Sequence, residues 1–311
     1  MKVCQLAAGE LHRSLRKPGI RIRTGPFVCH VKANFAAIAA GVELLYQDFP
    51  CEADGFADFY LNLARPKTLH YFWRPQVACY LNGDSPFSPL PSDQAFAAFE
   101  SLLNWSIYST TCNHLIIHGA TVERNGFAAI LPAPPGSGKS TLCAALVSRG
   151  WRLLTDELTL VAPSSGLIVP LARPISLKNN SIDLMREYAP QEVFGPKIHN
   201  TIKGTIAHMR APSDSVARMD EAAMPGWLIF PKYQSGASTS AVALPKGQAF
   251  MRLSSGLVNY PVLGAQGFEA LTRLIDRTDC YNFTYSELDE AMAWFGALEP
   301  PRGAMPPNEN R

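Results

Sequence analysis

With 311 residues, 47% of them hydrophobic, the chain can enclose one large core or two modest ones. Its 28 Lys and Arg against 26 Asp and Glu leave a formal charge of +2, and no basic run interleaved with aromatics occurs, so nucleic acid is not an expected partner. The seven cysteines lack C-x-x-C spacing and signal neither a zinc site nor a disulfide framework, and no stretch approaches a membrane-spanning length. A reducing, cytoplasmic setting with no membrane partner is the expectation.

Residues 20–31 (IRIRTGPFVCHV) alternate at their start and read as a strand, after which Phe35, Ile38, Ala39, Val42 and Leu45 recur at helical spacing. Further strands are expected near 56–63 and 75–81, the second ending in the turn residues Asn82-Gly83-Asp84. Ser92 is a plausible N-cap for a helix with Phe96, Phe99, Leu103 and Ile107 on one stripe. Two apolar runs, 114–122 and 126–131, flank Asn125-Gly126 and read as a hairpin.

The Pro- and Gly-studded stretch 163–261 predicts short strands and ordered loops. Beyond it Phe268, Leu271, Leu274 and Ile275 share a helical face, and Thr284 with Glu287 forms a capping box before a last helix. The expected division is an α+β region over 1–91, a connecting helix over 92–110, a core over 111–298 and a disordered tail over 299–311.

The core carries APPGSGKST over 133–141, a P-loop pattern with alanine in the first glycine position, entered from a strand and left through a helix. Such a loop turns successive backbone N–H groups and the positive end of a helix onto one anionic centre. Pro135, Gly136, Ser137 and Gly138 would line the phosphates, with the glycines letting the backbone approach them. Lys139 would reach the β- and γ-phosphates, Ser140 would place its hydroxyl on Mg²⁺, and Thr141 would lie beside the α-phosphate. The strand WRLLTDELTLV then brings Asp156 and Glu157 back beside the loop, where one carboxylate can take a proton from an attacking hydroxyl and another can help hold Mg²⁺.

The run Arg149-Gly150-Trp151-Arg152-Leu153-Leu154-Thr155-Asp156-Glu157 resembles the one following the P-loop helix in the HPr kinase/phosphorylase group of protein serine kinases. His118-Gly119 is similar to that group's histidine-glycine pair one hairpin earlier. More closely, the chain looks like the subgroup of HPr kinase-related kinase A, through RTGPF, GFADF, WRPQV, PAPPGSGKSTL, RPISLKN and KGT. The resemblance implies an α/β fold with a P-loop kinase core of the HPr kinase type and a smaller α+β N-terminal region. It implies Asp156 as catalytic base and His118 as its orienting neighbour, beside the expectation from the loop and the acidic pair that Ser140 and Glu157 hold the metal, with ATP and Mg²⁺ as cofactors.

The implied acceptor is a serine or threonine of a peptide or protein, and a homo-oligomer is compatible with the resemblance. The group's arginine-glycine-leucine-glycine signature is absent, so other cations must face the transferring oxygens. Arg173, Lys178, Lys203 and Arg210 are the candidates, with Lys178 and Lys203 favoured because the resemblance covers their motifs. A kinase of a free small molecule and a nucleotide-binding regulatory protein with little turnover are the alternatives.

Overall fold

The computed structural model describes residues 1–66, 73–134 and 136–301. A first helix α1 (Glu10–Arg16) leads to strands β1 (Ile20–Thr24) and β2 (Phe27–Ala33), in which every second residue is buried, as a sheet with one covered face requires. The single strand expected over 20–31 is thus a hairpin. Gly25 turns it with φ of 56°, and Pro26 beside it cannot donate to a ladder. A side chain at Gly25 would collide with the Pro170 carbonyl at 2.3 Å, so this turn seats directly on the second half of the molecule.

Helix α2 (Ala36–Leu45) buries Ile38, Ala39, Val42 and Leu45 and returns the chain through β3 (Cys51–Glu52) to β4 (Phe59–Ala64), which pairs parallel to β2. Strands β5 (Gln76–Leu81) and β6 (Leu90–Pro91) complete a six-stranded sheet of order β3-β1-β2-β4-β5-β6. Helix α3 (Ala95–Thr110) buries the stripe Phe96, Phe99, Leu103 and Ile107, and Phe96 fills the space a side chain on Gly41 of α2 would need. Ser92 does not cap α3; it opens a 3₁₀ turn, Ser92–Gln94, that runs into the helix.

Strands β7 (Leu115–Arg124) and β8 (Phe127–Pro132) form the expected hairpin, turned by Asn125 and Gly126 in the left-handed region. Helix α4 (Lys139–Ser148) leads to β9 (Arg152–Thr155), then β10 (Leu158–Val161), β11 (Ile168–Val169) and β12 (Ile175–Lys178). Next come α5 (Asn180–Tyr188), β13 (Ile198–Thr201), β14 (Gly204–Met209), α6 (Ser213–Ala217) and β15 (Met224–Tyr233). The chain ends through β16 (Ser240–Ala243), α7 (Lys246–Ser254), α8 (Tyr260–Arg277), β17 (Asp279–Tyr285) and α9 (Leu288–Gly296).

The eight-stranded sheet has the order β11-β10-β7-β8-β15-β17-β16, with β9 also on β7, and β8, β15 and β17 run parallel. Alternation along β15 sends Trp227 and Ile229 towards α4 and α9, and Leu228 and Phe230 towards α7 and α8. The sheet is therefore covered by helices on both faces, and the molecule belongs to the α/β class. A small antiparallel sheet, β12-β14-β13, stands between it and the N-terminal sheet's helix α3. One buried apolar cluster runs from Val3 to Phe295 without a break between the two halves.

Two expectations near the C-terminus fail on packing grounds. Phe268 is half exposed with its ring against Phe250, while Leu271, Leu274 and Ile275 are buried. Thr284 is used as a residue of β17, an element the sequence reading did not separate, so it makes no capping box; Glu287 flanks α9 without a side-chain cap. The tail expected over 299–311 lies, beyond Pro301, outside the described residues.

Candidate functional site

Between β8 and α4 the loop turns through Gly136 and Gly138, both with φ of 86°. A side chain on Gly138 would meet the Tyr285 hydroxyl at 2.4 Å, whereas Gly136 faces open space with nothing within 4 Å. The ends of β15 and β17 clamp the loop from behind. Tyr233 N–H donates to the Ser137 carbonyl at 2.9 Å and Tyr285 O–H to the Gly138 carbonyl at 3.0 Å. Gly138 caps α4 with no side chain competing for the first N–H groups, which leaves them for an anion.

Gly136, Ser137, Gly138, Lys139, Ser140 and Thr141 all line one basin of about 480 Å³, while Pro135 lies outside the described residues. Lys139 is buried along its stem, and its Nζ reaches the Asp156 carbonyl at 3.4 Å. The buried Ser137 hydroxyl has no hydrogen-bond partner among the described residues.

The acidic pair sits at an interruption of one long ladder. β9 and β10 lie end to end along β7, pairing Thr155 with Thr121 and Leu158 with His118, and Gly119 N–H bridges the gap to the Glu157 carbonyl at 3.0 Å. β9 does run in the same direction as β8, as the crossover predicted, but with β7 between them. Asp156 is 5% exposed; its Oδ2 accepts from Ser176 N–H at 2.9 Å, its Oδ1 makes no regular hydrogen bond among the described residues, and the Ser140 hydroxyl lies near enough to favour the ionised carboxylate. Burial raises its pKa, opposed by Lys139, so its ionised form is held at a cost.

Glu157 is the opposite case. Burial works to raise its pKa, but Lys203, Lys139, Arg173 and Lys178 together hold it below the ordinary carboxylate range. Glu157 lines the basin; Asp156 lines an inner space of about 30 Å³ that Glu157 shares.

Lys178, at the end of β12, and Lys203, in the β13–β14 turn, both line the basin, as does His118. Burial and then Lys203 lower the Lys178 pKa. Burial, aided by Lys139, pushes His118 down to about 4, so it is a neutral imidazole at physiological pH. Arg173 and Arg210 do not line the basin. Arg173 is buried in a polar chain instead: its guanidinium donates to the Asn104 side-chain oxygen and lies 3.8 Å from Glu100, which accepts from Tyr46 O–H at 2.6 Å.

Asn104, Glu100, Ser176 and Tyr285 were missed by sequence reasoning. Glu100 and Asn104 did leave a signal, since a polar pair spaced i, i+4 lies next to an apolar stripe whose residues are otherwise core. Ser176 and Tyr285 left none, because their roles depend on tertiary placement.

The donor set suits a magnesium triphosphate. Among the described residues no group of three or more His, Cys, Asp or Glu could hold a metal unaided. Mg²⁺ ordinarily takes one or two protein oxygens together with phosphates and water, which Ser140 and Glu157 can supply. The unpartnered Ser137 hydroxyl and the open face at Gly136 are both features of the basin that a bound group would use. No family model and no curated protein sequence matches the chain. No helix among the described residues is long and apolar enough to cross a membrane.

Proposed function

We propose that the chain is an ATP- and Mg²⁺-dependent kinase, built on a P-loop core of the HPr kinase type and of the HPr kinase-related kinase A kind. It passes the γ-phosphoryl group to a serine or threonine hydroxyl of a peptide or protein. The observation that carries this reading is the convergence on one basin of the loop residues 136–141, Glu157, His118, Lys178 and Lys203. A basin with four cationic or neutral nitrogen groups around one carboxylate stabilises charge spread over transferring oxygens.

Lys139, Lys178 and Lys203 hold the phosphates, and Ser140 and Glu157 the metal, which when bound neutralises phosphate charge. Asp156 takes the acceptor proton; its raised pKa suits a base, and the depressed pKa of Glu157 suits a permanent anion. The acceptor oxygen gains the new P–O bond as the β–γ bridging P–O bond breaks, and the leaving electron pair stays on ADP. His118, neutral, orients the acceptor end of the site. Seven cysteines, all free, accord with a reducing cytoplasm as the working compartment.

The test is turnover of γ-labelled ATP with Mg²⁺ by the purified chain and by Lys139→Met, which keeps the buried stem and removes the charge. Loss of turnover in the variant, with the wild type active, supports the reading. Binding without turnover in the wild type would favour a regulatory nucleotide-binding protein instead.

A further inference from the structure

Beside the phosphate basin opens a second cleft of about 690 Å³ that shares His118, Glu157 and Lys203 with it. Away from those three groups its walls are mainly apolar, with Gln94, Ser101 and Asn104 among them: Phe87 from the loop before β6, Trp105 and Tyr108 from α3, Leu158 from β10, and Ile202 and Ile206 from the β13–β14 hairpin. Trp105 stacks on Tyr108 at 5.6 Å and meets Phe87 edge-on at 5.8 Å, so the three rings form one surface. Trp105 is 39% exposed, Tyr108 43%, and Ile202 stands fully in solvent.

Resting on the kinase reading, we infer that this cleft seats a polypeptide acceptor that carries a bulky apolar side chain within one or two positions of the phosphorylated serine or threonine. The continuity with the basin sets what lies at each end. The reacting hydroxyl must come to the inner space that Asp156 and Glu157 share at the junction of cleft and basin, and whatever extends from it toward α3 meets largely aromatic and aliphatic surface.

The spacing follows from α3 itself. Asn104 touches Glu157, and Tyr108 lies one turn further along the same helix, about 6 Å away at ~1.5 Å per residue. An extended peptide covers that in about two residues at ~3.3 Å each. A small alcohol would leave Trp105, Tyr108 and Ile202 in water around the opening, whereas a polypeptide laid across it covers them, and large apolar side chains exposed around one mouth mark such contacts.

The probe is a Ser- and Thr-centred peptide library with one flanking position fixed at a time, incubated with the full chain and γ-labelled Mg·ATP. Peptides with Phe, Leu, Ile, Met or Trp within two positions should be labelled about tenfold faster than those with Gly or Asp there, the contribution of one seated apolar side chain. Trp105→Ala and Ile202→Asp should each bring that ratio below about threefold, and Trp105→Phe should restore it. The ratio is internal to each variant, so a general loss of activity cancels; Ile202, being wholly exposed, can be changed without disturbing the core. A flat preference in the wild type, an undiminished ratio in both variants, or ATP hydrolysis with no transfer to any peptide would overturn the inference while leaving the nucleotide site standing. Absence of any ATP turnover would instead remove the kinase reading, and the inference with it.

Discussion

Asn104 on α3 donates its side-chain amide to Glu157 and accepts, on its carbonyl oxygen, from Arg173. A single neutral side chain thus stands between a buried guanidinium and the carboxylate that faces the phosphate basin. It stands between the two charges, which leaves Glu157 free for the metal role proposed for it, while Glu100 takes the other share of the Arg173 charge.

Replacing Asn104 with alanine should therefore release Glu157 and leave Arg173 a donor short. Groups that orient a metal ligand typically matter by 10- to 100-fold in metal affinity, and an unsatisfied buried donor costs about 1–3 kcal/mol. A Mg²⁺ titration of ATP turnover should shift to higher concentration by that factor, with a lower melting temperature. An unchanged Mg²⁺ requirement would remove Glu157 from the metal site.

Asp156→Asn separates chemistry from binding. Transfer should fall by roughly 10² to 10⁴, the usual worth of a general base, with nucleotide affinity little changed. Stability should move the other way. Because burial raises the folded-state pKa of Asp156 above its unfolded value, its contribution is favourable only below the unfolded pKa and is lost as pH rises through the folded one. The asparagine variant should therefore melt higher than wild type at neutral pH, with the gap closing below about pH 4. If Glu157→Gln instead produced the larger loss in turnover at saturating Mg·ATP, the two acids would exchange roles.

His118 gives a pH signature without nucleotide. Its folded pKa of about 4 lies below the ordinary histidine value, so the unfolded chain takes up a proton first as pH falls. Stability from this group is fully present above about pH 6.5 and is lost on the way down to about pH 4, and His208, also pushed to about 4 by burial, adds to the same slope. Denaturant midpoints measured across that window should flatten in His118→Gln. Its ring protons should titrate near 4 in NMR, and a midpoint near 6.5 would contradict the burial assigned to it.

Sequence periodicity was most informative where one local rule decides the structure. The hairpin at Asn125-Gly126, the helix after the loop and the stripe of α3 follow from turn chemistry and spacing alone. The conformation of the loop was legible because its tight strand-to-helix turn takes positive φ at Gly136 and Gly138, where glycine is favoured. What stayed hidden depends on distant partners. Nothing near Tyr285 announces that its hydroxyl holds the Gly138 carbonyl, and nothing near Ser176 announces that its amide holds Asp156. The split of 20–31 into two strands was missed although the alternation changes phase across Gly25-Pro26, from buried Ile20, Ile22 and Thr24 to buried Phe27, Cys29 and Val31, because only the start of the run was read for its period.

The apolar cluster that runs unbroken from Val3 to Phe295 predicts that the two halves unfold as one cooperative unit. A chain cut at residue 91 would keep the P-loop but strip the cover from Phe96, Phe99 and Leu103, leaving a large raw hydrophobic face on α3. Amide hydrogen exchange should accordingly report one shared opening free energy for α2 and β15, although they lie in different halves, and two separate values would refute this. Such coupling means that the N-terminal third cannot be traded between chains as a cassette. A shift of α3 is felt at Glu157 through Asn104, so the wall proposed to meet the acceptor and the carboxylate proposed to serve the nucleotide are expected to change together.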